Sequence, residues 1–420
     1  MKEVGLLIDL YQSPTQDESV FKHVVSDFFN PLFKIIKSFK SIKVSLNVPL
    51  STLELLDKYN FQSVIKDIRD LYENDRIEIV GSAAYNPLLT ETNSKIVENE
   101  IILNEYALGS YFGAKQGFEG EPSMMIKDID GFLPTGLAVN ESVLDTLGEL
   151  RYEWVLADSR YISNTHDQTN NFVYKYTADV KIVVANNEIG DLINSFNTKE
   201  FDEIWTALNT KRNNFGNKIV LVINNDLYHV QEDVGSDFYK KKISVIDQLV
   251  ENLCKENITI TSVRETIKNI NSEELVRFKK IKQIQERGEY ESYYYRDNDL
   301  SNMLKTLDKE VEKPLLLDDS TNTYTDFNTV CMWKNEELGS ITDNNIHNKV
   351  CFSTLMYKYM SIDKYVYSLM INESDNIAEY AKIEIRKYVT LVKDLVKYRS
   401  DEELTNVVLP LVDRIAELVK

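Results

Sequence analysis

The sequence predicts an α/β fold: a barrel of alternating strands and helices, followed by a helical bundle. Three observations predict it. Strand-like and helix-like patterns alternate through the first two-thirds of the chain. Stretches such as VGLLIDL (4–10) and KIVLVIN (218–224) are continuous apolar runs, typical of strands buried on both faces. From about residue 344 the pattern is helical to the end. Repeated β-α units imply a parallel sheet, and roughly six to eight of them without a break favour a closed barrel over an open sheet. The spacing alone leaves both arrangements open.

The elements follow in order. After the first strand, FFNPLFKIIKSF (28–39) has helical spacing and IKVSLNV (42–48) is the second strand. Ser51 and Glu54 have capping-box spacing and open a helix at 52–59. SVIKDIRDLYEND (63–75) is a helix, RIEIVGSA (76–83) a strand and IVENEIILNEYALGSYFG (96–113) a long helix. GFLP (131–134) is a short strand, and NESVLDTLGELR (140–151) a helix with Asn140 as its N-cap. YEWVLADS (152–159) is a strand that places Trp154 in the core. KIVVAN (181–186) is a strand; IGDLINSF (189–196) and EFDEIWTALNTKR (200–212) are helices. KIVLVIN is followed by the helix KISVIDQLVENLCKE (242–256) and a last strand, ITITSV (258–263).

The texture changes after about residue 270. This divides the chain into a barrel, 1–270, a charged and tyrosine-rich connecting segment, 271–330, and a C-terminal helical region, 331–420. Tyr293, Tyr294 and Tyr295 read as packing between domains, with stacking on sugars or bases as the alternative. Trp333 reads as core, or as a residue reaching over the barrel mouth. Ile385, Tyr388, Val389, Val392, Leu395 and Val396 make one apolar helical stripe. Ser400 and Glu403 form a second capping box before a final helix that runs to Lys420.

Composition excludes several classes. The 420 residues are 43% hydrophobic, enough for a sizeable core. Lys plus Arg number 48 and Asp plus Glu 67, a net charge of −19. Such a surface repels phosphate backbones and anionic bilayers, so neither nucleic acid nor membrane is an expected partner. Cys254, Cys331 and Cys351 are odd in number and lack CxxC spacing, which reads as buried thiols in a reducing compartment. His23, His166, His229 and His347 share no ligand spacing, so no metal or other cofactor is expected. The N-terminal apolar stretch is too short for a signal peptide and no run reaches transmembrane length, so the expected location is the cytoplasm.

In an α/β barrel the chemistry sits at the C-terminal ends of the strands. Those ends deliver Asp9, Tyr11 and Gln12; Tyr85 and Asn86; Thr135 and Gly136; Asp158; and Asn224, Asn225, Asp226 and Tyr228. Amides and carboxylates for hydroxyls, with rings for sugar faces, suit a polyhydroxylated ligand.

The order and character of these stretches resemble glycoside hydrolase family 57 over roughly residues 1–265. DLYQSP (9–14) is similar to an opening motif that reads His-Phe-Tyr-Gln-Pro-Pro in many members; Tyr11, Gln12 and Pro14 match, and Asp9 stands where His is usual. IEIVGSAAYNPLL (77–89) resembles the second motif, with Asn86 at its His position. GFLPTGLAV (131–139) resembles Gly-Phe-x-Pro-Pro-Glu-Met-Ala-Val, a register that puts Gly136 at the nucleophilic Glu. LVINNDLYHV (221–230) resembles Leu-Asp-Gly-Glu-Thr-Phe-Gly, which puts Asn224 on the acid/base Asp; a two-residue slip would put Asp226 there. The resemblance implies a distorted (β/α)7 barrel followed by a helical bundle, and a retaining mechanism acting on α-glucans. A retaining carboxylate pair sits only about 5–5.5 Å apart.

Four motif centres are therefore altered: Asp9, Asn86, Gly136 and Asn224. Glycine cannot form a glycosyl ester, and asparagine has no proton to donate at neutral pH. The expectation is a protein of α-glucan metabolism that lacks the retaining mechanism and binds a glycan or a partner, such as a homologous active subunit or a second copy of itself. Asp9, Tyr11, Gln12, Tyr85, Asn86, Asp158, Asp226 and Tyr228 are the candidate substrate-binding residues. The alternative is an active hydrolase or transferase that uses relocated carboxylates, with Asp226 the first choice; a structural assembly subunit is a third reading.

Overall fold

The computed structural model describes residues 1–14, 16–113, 129–163, 172–177, 180–194, 201–211, 217–224, 232–270, 274–278, 299–317, 375–399 and 402–420. Strand β1 (Glu3–Asp9) is central. It runs parallel to β2 (Val44–Asn47) on one side and to β8 (Lys218–Ile223) on the other. Beyond β2 lies β3 (Ile77–Val80), also parallel. A second sheet holds β4 (Gly131–Phe132), β5 (Trp154–Asp158) and β7 (Lys181–Ala185), all parallel.

Backbone hydrogen bonds join the two sheets into a ring. Gly81 N–H donates to Gly131 O and Leu133 N–H to Gly81 O, both at 2.8 Å, so β3 leads into β4. Asn186 N–H donates to Val220 O at 2.8 Å, so β7 meets β8. The ring reads β1, β2, β3, β4, β5, β7, β8: a seven-stranded parallel barrel. Two strands lie outside it. β6 (Val173–Lys175), which the sequence pattern does not announce, pairs antiparallel with β7. β9 (Thr259–Thr261) pairs with Glu3–Gly5 of β1, below the point where β2 begins its pairing.

Side-chain alternation sorts the strands into two faces. On β1, Leu6 and Ile8 pack in the helical layer, while Leu7 belongs to the interior cluster with Val80, Leu133, Leu156 and Val222. Trp154 is 2% exposed and joins the interior, as its place in YEWVLADS predicts. Among the described residues three glycines are crowded: a Cβ on Gly5 would strike the Thr266 hydroxyl. A Cβ on Gly131 would strike the Trp154 ring, and one on Gly81 would strike the Tyr152 hydroxyl.

A short helix, α10 (Val263–Ile267), closes the N-terminal end of the barrel. The sequence reading carries the last strand to Val263; instead the strand stops at Thr261 and Ser262 accepts from Glu265 N–H, starting a helix. Val263 and Ile267 then enter the interior cluster. Val263 N–H donates to Ser45 Oγ at 2.8 Å, and Ser45 donates to Glu78 at 2.6 Å. Arg264 bridges Glu78 at 3.3 Å and Asp130 at 2.9 Å, which ties α10 to β3 and to the entry of β4.

The helices wrap the ring, among them α1 (Glu18–Val24), α2 (Asn30–Ser38), α4 (Gln62–Glu73) and α8 (Phe201–Lys211). α3 (Leu50–Lys58) begins after Pro49 with no side-chain cap, so the Ser51–Glu54 capping box does not form. Ser51 is buried, and Glu54 accepts the Tyr85 hydroxyl at 2.8 Å instead. The helix starts at Leu50, so Ser51 lies inside it rather than at its cap, and a tertiary contact takes Glu54. Asn140 does cap α6 (Glu141–Glu149), accepting from Val143 N–H at 2.9 Å. α5 (Ser94–Phe112) lies behind β3. α7 (Asn187–Asn194) follows β7, and α9 (Glu232–Lys255) starts about ten residues earlier than its apolar pattern suggests.

Helix Asp299–Leu317 lies in the segment read as a connector, and it packs with the C-terminal helices Asp375–Arg399 and Glu402–Leu418. Ile385, Tyr388, Val389, Val392 and Val396 are buried, as the stripe predicts. Tyr388 donates its hydroxyl to Asp308 inside this bundle. Lys387 pairs with Asp17 of the barrel at 3.6 Å. Tyr293–Tyr295, Trp333, Cys331, Cys351, His166, His229, His347 and the Ser400 cap lie outside the described residues, as does the Leu395 side chain.

Candidate functional site

The C-terminal rim of the barrel is built from strand ends. Asp9 closes β1 and is 6% exposed. It is paired in register with Asn47, the last residue of β2. Asn47 Nδ2 donates to Asp9 Oδ1 at 2.7 Å, and Tyr11 N–H donates to the same oxygen at 3.0 Å. Burial pushes the Asp9 carboxyl up to about 6 from its ordinary 3.8, against the pull of these bonds and of the Lys242 charge.

Lys242 projects from α9, is 1% exposed, and donates to the Asn224 carbonyl at the end of β8. Asn224 N–H donates to Asn194 Oδ1 at 3.0 Å, and Asn194 Nδ2 to Val222 O at 2.8 Å, so α7 fixes the end of β8. The sequence reading identified Asp9 and Asn224 but missed Asn47, Asn194 and Lys242. Asn47 had a signal: Ser45 and Asn47 alternate in an otherwise apolar strand. Lys242 had none, because one lysine in a charged helix looks solvated.

The next pair of strand ends carries the altered motif centres. Asn86 has φ 59°, a left-handed conformation that asparagine tolerates better than most residues. Its Oδ1 accepts the Thr135 hydroxyl at 2.6 Å, linking the turn after β3 to the turn after β4. Thr135 opens a 3₁₀ turn in which Gly136 has φ 61° and Leu137 φ 56°. Gly136 thus offers backbone alone at the place read as the nucleophile.

Glu100 of α5 supports the first of these turns. Its carboxylate accepts Tyr85 N–H at 3.0 Å and its carbonyl accepts Ala84 N–H at 3.1 Å. It is fully buried, and burial pushes its carboxyl up to about 8.

The remaining candidates are spread through this end of the barrel. Tyr11 is buried, and the Gln12 backbone N–H donates to Thr52 Oγ1 at 2.9 Å. Tyr85 is fully buried in the helical layer, with its hydroxyl on Glu54. Asp158 closes β5 and is 1% exposed. Asp226 and Tyr228 lie outside the described residues. Among the described residues, no cluster of His, Cys, Asp or Glu could hold a metal ion. At this rim Gly136 has no side chain and Asn224 carries an amide. The rim also has a buried carboxylate at Asp9, amides at Asn47 and Asn86, and a hydroxyl at Thr135.

A seven-stranded parallel barrel with polar groups gathered at its C-terminal rim defines a distorted (β/α)7 barrel. The family model for glycosyl hydrolase family 57 matches residues 5–282, and the chain belongs to that family. No curated protein sequence matches the chain. Among solved structures, the exo-type maltose-forming amylase from Pyrococcus sp. ST04 is 12% identical, covering 97% of this chain and 82% of its own, with a TM-score of 0.63. The GH57-type branching enzyme from Pyrococcus horikoshii is 8% identical, covering 100% and 94%, with a TM-score of 0.60. The 4-α-glucanotransferase from Thermococcus litoralis is 11% identical, with a TM-score of 0.59; the match covers 95% of this chain but only 60% of that longer enzyme. At such identities these likenesses establish the fold. Among the described residues, no helix is long and apolar enough to cross a membrane.

Proposed function

We propose that this family member binds an α-glucan or related oligosaccharide at the C-terminal rim without the retaining double displacement. The observation that carries the reading is Gly136, held in a left-handed turn where the aligned motif has its glutamate. A covalent glycosyl intermediate needs a nucleophilic side chain, and none is attached there. Asn224 can accept or donate a hydrogen bond but does not titrate, so it cannot replace an acid/base carboxyl. What remains is a rim of amides, a hydroxyl and a carboxylate, which is a binding surface for sugar hydroxyls. A homologous active subunit, or a second copy of this chain, is the partner that such a barrel would serve.

Isothermal titration with maltoheptaose, beside cellohexaose as a β-linked control, tests this reading. Saturable heat with the α-glucan and little with the control supports it; no binding to either contradicts it. One observation favours a second reading. The Asp9 carboxyl, raised to about 6, lies in the range of a general acid working near neutral pH. An enzyme with relocated carboxylates would cleave the glucan, and Asp9→Asn or Asp226→Ala would abolish that cleavage.

A further inference from the structure

We propose that Asn47 is a carbohydrate-binding residue of the rim, whose side-chain oxygen accepts a hydroxyl of the bound glycan beside Asp9. The inference rests on the glycan-binding reading above and names the group that does the recognising. Strand β2 sends Val44 and Leu46 into the helical layer, so Ser45 and Asn47 face the barrel interior. Ser45, toward the closed end, is satisfied on both sides by Glu78 and by Val263 N–H. Asn47, at the rim end of the same strand, is only half satisfied. Its Nδ2 donates to Asp9, while its Oδ1 is buried and, among the described residues, has no hydrogen-bond partner.

A buried carbonyl left in this state is destabilising, and groups so buried are paired almost everywhere in folded proteins. The orientation of the amide is set by its neighbour. Exchanging oxygen and nitrogen would turn one acceptor onto another, the Asp9 carboxylate, so the unfilled atom is the oxygen. An unfilled acceptor calls for a donor.

Asp9 adds a second acceptor at the same level. Among the described residues, both of its hydrogen bonds fall on Oδ1, which leaves Oδ2 for a ligand. Asp9 and Asn47 are register partners on neighbouring strands, which lie about 4.8 Å apart. Two acceptors on neighbouring strand ends, joined by the Asn47–Asp9 hydrogen bond, suit hydroxyls of one sugar ring. Lys242 offsets the Asp9 charge, which favours a neutral polyol over a cationic ligand.

The test is isothermal titration of maltoheptaose, and of monodeoxy maltosides, against the full chain and Asn47→Leu. The thermal midpoint of each variant serves as the folding control. The expected result is about tenfold weaker binding of maltoheptaose by Asn47→Leu, the loss of one buried hydrogen bond. One deoxy position should weaken binding to the native chain and cause no further loss in the variant, because the hydroxyl and its acceptor are then one interaction. If Asn47→Leu folds poorly, Asn47→Ser gives the same comparison. Unchanged affinity in the folded variant overturns the inference and leaves the glycan reading standing. Equal, additive losses for every deoxy ligand also overturn it, since Asn47 would then act only by holding Asp9. No binding of maltoheptaose by the native chain overturns both.

Discussion

Thr135 donates its hydroxyl to Asn86 Oδ1 across 2.6 Å, so the turns after β3 and β4 are held as one unit. The bond fixes the approach to Gly136 and uses a residue, Asn86, that is itself left-handed. Asn86→Ala removes the acceptor and puts at φ 59° a residue that tolerates the left-handed region less well than asparagine, at a cost of about 1–3 kcal/mol. Asn86→Gly loses the bond but keeps the conformation easily, so its loss should be smaller. Urea unfolding of the two variants ranks them; equal losses would mean that backbone strain contributes nothing here.

Glu100 makes the same turn pH-sensitive. Its carboxyl is raised to about 8 from an ordinary 4.5, so the folded chain holds this proton more tightly than the unfolded chain does. The sign follows: the contribution is complete below the unfolded value and is lost as pH rises through the folded one. Between those values stability falls with pH by up to about 1.4 kcal/mol per unit from this group. Glu100→Gln keeps the acceptor and removes the titration. Its unfolding free energy between about pH 5.5 and pH 8.5 should be flatter than that of the native chain; parallel curves would count against the assignment.

Two of the crowded glycines, Gly131 and Gly81, predict a steep steric response. Gly131→Ala drives a methyl group into the Trp154 ring, and Gly81→Ala into the Tyr152 hydroxyl. Overpacking of this kind costs about 1–3 kcal/mol, and more where the neighbour cannot move. Trp154 is locked in the barrel interior, whereas the Tyr152 hydroxyl reaches Glu105 at the far end of its side chain. Gly131→Ala should therefore lower the thermal midpoint more than Gly81→Ala; the reverse order would place the flexibility elsewhere.

Restoring one carboxylate is not expected to restore chemistry. Gly136→Glu places a side chain at φ 61°, costing about 1 kcal/mol, and leaves Asn224 without a proton to give. Asn224→Asp alone leaves the nucleophile missing. Each single variant should leave maltoheptaose intact in an overnight assay, and only the double variant carries both groups of a two-step mechanism. Cleavage by either single variant would show that the aligned register is wrong.

Much of the barrel was legible in the sequence because its strands are buried on both faces and its helices alternate with them. VGLLIDL, KIVLVIN and YEWVLADS needed no tertiary information. The strand β6 was not legible: it is three residues long and exists through its pairing with β7. The capping box at Ser51 failed because Glu54 is taken by Tyr85, a partner thirty-one residues away. At the site, Asp9, Asn86, Gly136 and Asn224 stand at or just after strand ends, where the strand pattern puts them. Of their supports, only Asn47 left a signal, as a polar residue in an otherwise apolar strand. Asn47, Asn194 and Lys242 come from other elements, and only folding brings them to the rim.

The most direct test of the account is to incubate the full chain at high concentration with maltoheptaose and follow both protein and sugar by mass spectrometry. The account predicts an intact oligosaccharide, no glycosyl adduct on the protein, and saturable binding in the same sample. Shorter or longer oligosaccharides, or a covalent glycosyl-protein mass, would contradict it and show that catalysis survives without a carboxylate at residue 136.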